Sequence, residues 1–502
     1  MTRTFSLTCL RNGEAVPIAS VPLLPIDRFL QDIIDATDRG WRVSSLFGVP
    51  TDRGATLWCL MTAPGDALLG LMRTEAERAF PSICRLVPQI HLFEREIAEQ
   101  CGITPEDHPW LKPVRFHHPF MPSRRGDREP VAGDTEFFRV EGEEIHEVAV
   151  GPVHAGIIEP GHFRFQCHGE EVFSLEISLG YQHRGVEQGL IGGPYPKTIF
   201  QMETIAGDTT IGHSLAYAMV MEALGNTVPS ARAEAIRAIA LELERLANHA
   251  GDLGALAGDV AYLPTSSFCG RIRGDFLNMT AHICGSRFGR GLIRPGGVGF
   301  DPGAQQAGEL LHRIAIGGDE LENAIGLLWE TQSVMARFEG TGRVTRETAK
   351  EIGLVGPAAR ACGIERDIRK DHPFGIYGVS PISVITEESG DVFARAHVRW
   401  REAQESLNFV TEQLRQLPDG TPCADPPPPA PDSVAVALTE GWRGEICHVA
   451  ITGATGRFVR YKVVDPSFHN WTGLAMALRN QQISDFPLCN KSFNLSYCGF
   501  DL

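Results

Sequence analysis

The chain has 502 residues, which at roughly 150 residues per domain suggests about three domain-sized units. Hydrophobic residues make up 43% of the sequence and charged residues 22%, a composition that argues against global disorder. The formal net charge of −16 argues against nucleic acid as the main partner, because binding a phosphate backbone requires an excess of cationic side chains.

The sequence contains no apolar run long enough to span a membrane, and its first residues lack the apolar core of a secretory signal. We therefore expect a cytoplasmic chain in which the 12 cysteines are mostly reduced. No C-x-x-C pair occurs, although zinc sites and iron–sulfur clusters usually take two ligands from one tight turn. The cysteines are accordingly interpreted as buried thiols, and no metal is expected on this chain.

Residues 1–112 alternate helical and strand patterns, which predicts a small α/β domain. Residues 113–145 are rich in proline, arginine and acidic residues, and are interpreted as a linker that wraps around its neighbours rather than packing. The predicted elements of the first domain are helix 29–40, strands 41–49 and 55–63, and helix 89–100.

Strand patterns followed by long helical patterns occupy the rest of the chain. Asp208 is predicted to cap a helix over 209–224, and Ser230 to cap a helix over 231–250 that Gly251 ends. The other predictions are strands within 147–156 and 162–181, helices within 304–338 and 389–416, a proline-rich loop over 417–432, a hairpin within 440–464 and an irregular C-terminal segment.

Six unusual strings occur in one order along the chain. They are FEREIAEQCGITPEDHPWLKPV (93–114), GPVHAGIIEPGHFRF (151–165), GYQHRGVE (180–187), LELERLANHAGDLG (241–254), GPAARACGIERDIRKDHPFGIYG (356–378) and EGWRGEICHVAITG (440–453). Together they resemble two subunit families fused in one chain. One is the small hydrophilic subunit of respiratory complex I. The other is the complex I quinone-site subunit with its relative, the large subunit of membrane-bound, energy-converting [NiFe] hydrogenases of the formate hydrogenlyase type.

This resemblance implies an α+β fold in two parts. The small α/β domain over 1–112 should be followed, after the linker over 113–145, by a large-subunit domain over 146–502. That second domain should be mainly α-helical, with an antiparallel β-subdomain near its beginning.

The resemblance also identifies the positions that hold the metals in the hydrogenases. Two C-x-x-C motifs supply four thiolates there, and the four cysteine positions fall here on Ala206, Thr209, Ser496 and Gly499. Alanine and glycine have no ligand atom, and hydroxyls are poor replacements for soft thiolates. The sequence therefore predicts no nickel–iron centre.

The complex I relatives imply a quinone site instead. The family histidine that holds the quinone head group falls close to Pro160, between His154 and His162, and the family tyrosine falls near Thr204. Neither residue is clearly retained. The chain thus resembles hydrogenase-related complexes that keep the fold and lose the nickel ligands, and a quinone remains a possible ligand.

In the family fold, four distant segments should surround one polar cavity, namely the 151–162 turn, the start of the 209–224 helix, the 366–373 loop and the 494–498 segment. Histidines in such a cavity could relay protons. The alternative is an inherited ion-pair network that only holds the segments in place. The candidate residues are His154, His162, Asp208, Thr209, His213, Arg366, Arg369, Asp371, His372 and Ser496.

The GYQHRGVE string supplies a second group of candidates. By resemblance, His183, Arg184 and Glu187 should lie near the iron–sulfur cluster of a partner subunit, although an internal ion-pair network is the simpler interpretation. Glu244 could pass protons if burial raises its pKa.

These observations predict a core subunit of a membrane-bound, multi-subunit redox complex. It should dock a small iron–sulfur subunit that carries a [4Fe–4S] cluster, and attach to the cytoplasmic side of the inner membrane through membrane-embedded subunits. Electrons from NADH or another donor would reach a quinone-like acceptor or drive ion translocation. The alternatives are an NADH–quinone oxidoreductase subunit with an altered quinone pocket, or a non-catalytic scaffold that couples a partner enzyme to the membrane.

Overall fold

A five-stranded sheet covered by helices forms the first part of the chain in the computed structural model, which describes residues 5–502 apart from 125, 127 and 157. The elements are β1 (Thr8–Leu10), β2 (Ala15–Pro17), β3 (Leu23–Leu24), α1 (Ile26–Asp38), β4 (Arg42–Pro50), β5 (Ala55–Thr62), β6 (Leu69–Ala76), β7 (Ala79–Pro81), α2 (His91–Cys101) and β8 (Thr104–Glu106). The sheet order is β1–β6–β5–β4, and β3 pairs in parallel with β6. Phe29, Ile33 and Ala36 lie on the buried face of α1, which covers the sheet.

The second part contains most of the helices. Its elements are β9 (Ile145–Val150), β10 (His162–His168), β11 (Glu171–Ser178), α3 (Val186–Leu190), α4 (Thr198–Met202), α5 (Thr210–Gly225), α6 (Ala231–Asp259), α7 (Leu263–Cys284), β12 (Ile293–Arg294), β13 (Gly297–Val298), α8 (Ala304–Trp329), α9 (Gln332–Phe338), α10 (Arg346–Glu351), α11 (Gly356–Arg360), α12 (Ile368–Asp371), α13 (Val392–Arg415), β14 (Ser433–Gly441), β15 (Gly444–Thr452), β16 (Phe458–Val464), α14 (Pro466–Ala477), α15 (Phe486–Phe493) and α16 (Tyr497–Asp501). Strands β9–β11 form an antiparallel sheet, and α6, α7, α8 and α13 pack into a bundle. The predicted α+β class is confirmed.

The two parts share a sheet. Strand β2 leaves the first part and pairs antiparallel with β14, with Val16 opposite Val434, so the four-stranded order is β16–β15–β14–β2. The predicted linker also packs in places, because Val114 and Arg115 are buried and Arg115 forms an ion pair with Glu96. The interpretation that it wraps without packing is therefore wrong at this point.

Helix α6 is longer than predicted. Its cap at Ser230 is confirmed, since the hydroxyl accepts a hydrogen bond from the Ala233 amide, but the helix continues through Gly251 to Asp259. A Cβ atom at Gly251 would lie 2.7 Å from Arg273, and one at Gly254 would lie 2.6 Å from Cys269. These glycines therefore permit close packing against α7 rather than ending α6.

Three other predictions need correction. The strand predicted over 147–156 ends at Val150 and is followed by a turn. The helical region 304–338 is two helices, α8 and α9. The C-terminal segment is helical rather than irregular, because Asp465 and Ser496 cap α14 and α16 with their side chains. In the described part of the chain, no helix has the length and apolar character needed to cross a membrane.

Candidate functional site

The tip of the β14–β15 hairpin joins the two segments that correspond to the hydrogenase cysteine motifs. The Arg443 guanidinium donates to both carboxylate oxygens of Asp208, at 2.6 and 2.8 Å, and to the Asn494 carbonyl at 2.5 Å. Burial by itself would raise the pKa of Asp208, but the adjacent Arg443 outweighs it and holds the pKa below its ordinary value. Asp208 is thus an ion-pair partner that fixes the hairpin tip.

The predicted N-cap role of Asp208 is wrong. Helix α5 begins at Thr210, and the Glu244 carboxylate of α6 accepts hydrogen bonds from the Ile211 amide at 2.7 Å and the Gly212 amide at 3.2 Å. A carboxylate from another helix therefore satisfies the free amides of this helix end. A cap from a residue 33 positions away leaves no local sequence signal.

The four cysteine-equivalent positions do not fit a nickel–iron centre. Ala206 has no ligand atom, the Thr209 hydroxyl accepts a hydrogen bond from Trp442 at 3.1 Å, and the Ser496 hydroxyl accepts one from the Gly499 amide at 2.9 Å. A Cβ atom at Gly499 would lie 2.7 Å from the Asp465 carboxylate. Asp465 therefore fills the space that a fourth cysteine would need.

Asp465 begins a buried hydrogen-bonded chain that contains His213. Its carboxylate lies 3.0 Å from His213 Nε2, His213 Nδ1 lies 3.1 Å from His448 Nε2, and His448 Nδ1 lies 2.9 Å from the Tyr461 hydroxyl. Sequence reasoning found His213 but missed the other three residues. The hairpin predicted within 440–464 could have placed His448 and Tyr461 in the core. It does not predict that His448 contacts His213 on α5.

Arg369 lies in a different buried network. It donates to Asp367 at 2.6 and 2.9 Å and to Glu242 at 3.0 and 3.2 Å, and it is 2% exposed. Glu242 also accepts from Tyr377 and Arg245. The hydrogen-bond donors of the Arg369 guanidinium are thus directed at carboxylates, which agrees with the alternative interpretation of an ion-pair network.

The other candidates of the 366–373 loop are separate from Asp208 as well. Arg366 faces a cavity next to α1, on the border with the first part of the chain. Asp371 accepts a hydrogen bond from the Asp367 amide at 3.1 Å, and burial raises its pKa. The His372 carbonyl accepts a hydrogen bond from Asn12 at 2.9 Å, while burial lowers the pKa of the imidazole to about 4. The four predicted segments thus do not line one chamber among the described cavities.

Two of the four segments do meet around a cavity of about 450 Å³, which we call the turn cavity. His154 on the 151–162 turn lines it, and its Nε2 atom lies 2.8 Å from the Gly161 carbonyl. His162 is outside the lining, with Nδ1 at 3.3 Å from the Gly151 carbonyl. The residues that line the turn cavity are Val150, His154, Ile158, Phe163, Phe165, Asp259, Ile483, Ser484, Phe486, Pro487, Asn490, Lys491, Asn494, Leu495 and Tyr497.

Tyr497 is the most unusual group of the turn cavity. Its hydroxyl is buried and makes no well-formed hydrogen bond within the described part of the chain, although the Asn490 side chain lies close to it. Burial raises the pKa of Tyr497 to about 12 against the lowering effect of Asn490, so the phenol is protonated at neutral pH. A buried donor without a partner costs free energy, and such a group is a candidate for ligand binding. The sequence offered no signal for it, since Tyr497 lies in a segment predicted to be irregular.

The GYQHRGVE residues lie beside the same C-terminal segment. Arg184 is exposed and donates to the carbonyls of Thr204, Ile205 and Cys498 at 2.7, 2.9 and 3.0 Å, so it ties the two cysteine-equivalent segments together. His183 Nδ1 lies 2.7 Å from the Asp501 carbonyl. Both residues therefore brace this face of the protein.

Glu187, the third residue of this group, is buried in an internal ion-pair network. Its carboxylate pairs with Arg460 at 2.8 Å and with Lys462 at 3.0 Å. Burial opposes ionisation, but the two cations outweigh it and hold the pKa of Glu187 well below its ordinary value. The simpler interpretation made from the sequence agrees with these contacts.

Replacing Glu244 with glutamine should flatten the pH dependence of stability. Burial raises the pKa of Glu244 from 4.5 to about 8, so the folded chain retains a proton that the unfolded chain releases. The stabilisation is complete below the unfolded pKa and is lost as the pH rises towards the folded pKa, by at most about 1.4 kcal/mol per pH unit. Urea denaturation between about pH 5 and 8 should show a smaller slope in the variant. Exposed Glu322→Gln is the control, and equal slopes for Glu244→Gln and the native chain would contradict the prediction.

Comparison with known proteins identifies two matching families. Residues 55–128 match the respiratory-chain NADH dehydrogenase 30 Kd subunit, and residues 259–429 match the 49 Kd subunit. The carbon monoxide-induced hydrogenase of Rhodospirillum rubrum is 31% identical over 70% of this chain and 97% of its own length. Formate hydrogenlyase subunit 5 of Escherichia coli is 30% identical over 89% of this chain and 79% of its own length. NADH-quinone oxidoreductase subunit 4 of Thermus thermophilus is 30% identical over 68% of this chain and 90% of its own length.

Proposed function

We propose a redox function for this chain from one premise: it belongs to the family of the respiratory-chain NADH dehydrogenase 49 Kd subunits and their membrane-bound hydrogenase relatives, with a 30 Kd-type region in the same chain. It is a core subunit of a membrane-bound, multi-subunit complex that passes electrons from an iron–sulfur partner to a quinone-like acceptor. No nickel–iron centre takes part, because the four cysteine-equivalent positions offer no thiolate. Attachment to the cytoplasmic side of the inner membrane, through membrane-embedded partner subunits, is part of this proposal.

The observation that carries the proposal is the unpartnered Tyr497 hydroxyl in the turn cavity. A quinone head group is a flat ring with two carbonyl oxygens, so it needs apolar walls and hydrogen-bond donors. Phe163, Phe165 and Phe486 supply aromatic walls, and the protonated Tyr497 hydroxyl supplies a donor. The volume of about 450 Å³ is within the usual range for small-molecule sites.

His154 gives the same cavity a second hydrogen-bonding group. Nε2 donates to the Gly161 carbonyl, so Nδ1 is the acceptor nitrogen of that tautomer. Reduction of a quinone consumes two electrons and two protons, and a hydroxyl of the resulting quinol would donate a hydrogen bond to Nδ1. Tyr497 and His154 together would thus replace the tyrosine and histidine expected near Thr204 and Pro160.

The iron–sulfur partner is proposed to dock on the face that Arg184 and His183 brace. Arg184 is exposed and contacts both cysteine-equivalent segments, so a partner bound there would lie next to the C-terminal segment that carries Tyr497. This arrangement gives electrons a short path to the turn cavity. Ion translocation would follow from changes of charge in the cavity.

The main test replaces Tyr497 with phenylalanine in the purified complex. We expect the concentration of a short-chain quinone that half-saturates reoxidation of the chemically reduced iron–sulfur centres to rise roughly three- to tenfold, the effect of one hydrogen bond. The melting temperature should change little, because the hydroxyl makes no well-formed hydrogen bond with any described residue. Tyr195→Phe is the matched control, since the Tyr195 hydroxyl already donates to the Ile191 carbonyl outside the turn cavity.

A non-catalytic scaffold is the second candidate function, and the closed network around Arg369 favours it. A scaffold needs rigid ion-pair networks and no acceptor site. Unaltered quinone dependence in Tyr497→Phe, together with unaltered dependence in a cavity-filling Leu495→Phe variant, would reject the acceptor site and leave the scaffold.

A further inference from the structure

A second cavity, of about 530 Å³, lies between the two parts of the chain; we call it the seam cavity. Helix α1 and the start of β4 form one side, and the region from α10 to the loop before α12 forms the other. Its charged lining residues are Asp38, Arg42, Arg346, Lys350, Glu365 and Arg366. None of them lines the turn cavity.

Arg366 is the anchor of the seam cavity. Its guanidinium makes no hydrogen bond or ion pair with any residue that the structure describes, whereas the neighbouring Arg360 and Arg369 both pair with carboxylates. Burial, reinforced by nearby Arg42, outweighs the opposing effect of Glu445 and Asp371 and lowers the pKa of Arg366 to about 10, so the group still carries its charge at neutral pH. A half-buried cation that makes no direct ion pair is costly, and an anion in the cavity would relieve that cost.

Arg42 provides a second buried donor, on the opposite wall of the seam cavity. It is 2% exposed and held in place by an ion pair with Glu445 and a hydrogen bond to Ser44, yet its Nε–H has no partner among the described residues. The Glu445 carboxylate that pairs with Arg42 is not part of the cavity lining. Arg42 is therefore a fixed donor rather than a mobile surface chain.

The acidic residues of the lining do not neutralise these cations. Asp38 is exposed at the end of α1, and Glu365 pairs on the surface with Lys370, whose side chain is 50% exposed. Arg346 and Lys350 stand on α10 at the rim and make no ion pair within the described part of the chain. The cavity thus presents four cations and two outlying carboxylates, on a chain whose net charge is −16.

We propose that the seam cavity binds a small organic anion that carries a phosphate or pyrophosphate group. Arginine forks match the oxygens of a phosphate, and lysine adds charge at the rim. The cavity volume is larger than an inorganic ion needs and suits a ligand of nucleotide size, and the lining includes the aromatic side chain of Trp41. Because the cavity spans both parts of the chain, bound anion would hold the first part against the second.

The proposal is tested by calorimetric titration of the purified full-length chain with ADP and with inorganic pyrophosphate, at constant ionic strength. We expect saturable binding of both compounds and a higher melting temperature in their presence. Tighter binding of ADP would identify a nucleotide site, and equal binding would identify a site for the phosphate groups alone; both support the proposal. Absence of saturable binding by both compounds would overturn it.

Variants locate the site. Arg366→Gln should weaken binding at least about tenfold, because charge-assisted hydrogen bonds are lost, and it should fold normally since this guanidinium has no internal partner. The rim double variant Arg346→Gln/Lys350→Gln should weaken binding by roughly two- to fivefold. Arg415→Gln is the matched control, since Arg415 is exposed and lies outside the cavity lining. Affinity that is unchanged in Arg366→Gln, or reduced equally in Arg415→Gln, would reject the seam cavity as the site.

Discussion

Replacing Arg369 with methionine is expected to destabilise the protein by about 3–5 kcal/mol. The substitution leaves Asp367 and Glu242 buried without the guanidinium that contacts both of them. Burial alone would raise the pKa of Glu242, and Arg245 with Arg369 is what holds it at about 2. The loss should appear in urea denaturation of the full chain at neutral pH.

Lys370→Met provides the matched control, since it removes the next cation along the chain from an exposed ion pair with Glu365. Exposed pairs contribute about 0–1 kcal/mol, so the control should be nearly neutral. Arg369→Lys keeps the positive charge but loses the planar guanidinium that contacts two carboxylates at once. We expect lower stability of this variant with unaltered activity per folded complex. Lost activity without lost stability would instead assign Arg369 to the reaction.

Replacing Gly499 with cysteine, which restores one thiolate position, is expected to destabilise the protein by about 1–3 kcal/mol through overpacking. The new Cβ atom would lie 2.7 Å from the Asp465 carboxylate, which is fixed by His213 and by the Ser467 amide. In a helix with free space at the position, replacement of a glycine would stabilise the protein by about 0.5–1 kcal/mol. A destabilising effect of Gly499→Cys would therefore show that Asp465 obstructs the new side chain.

Gly207→Ala is the control, because a Cβ atom at Gly207 would meet nothing within 4 Å. Both proteins should be compared by thermal and urea denaturation, and a neutral Gly499→Cys would contradict the close approach of Asp465. Elemental analysis of the intact complex should find no stoichiometric nickel in either form. Stoichiometric nickel would refute the proposed absence of a nickel–iron centre.

Helix positions and family membership could be predicted from local patterns. The periodicity around α6 and the Ser230 cap depend on residues a few positions apart, and the strings around Arg369 and Glu187 are long enough to be specific. Local signals also misled where a residue served a distant partner. Gly251 resembles a helix end but allows close packing on α7, and Asp208 resembles a cap but pairs with Arg443.

The sequence by itself determined that none of the four cysteine-equivalent positions carries a thiol, because folding cannot change the side chain at a position. It also determined the α+β class and the positions of some helices, α6 with its Ser230 cap among them. Only the tertiary structure decided how the charged residues pair. Arg369 meets Glu242 across 127 positions of sequence and Arg443 meets Asp208 across 235. Long-range contacts of this kind depend on the packing of whole elements. The same packing leaves Tyr497 in the turn cavity and Arg366 in the seam cavity without a well-formed polar contact to any residue that the structure describes.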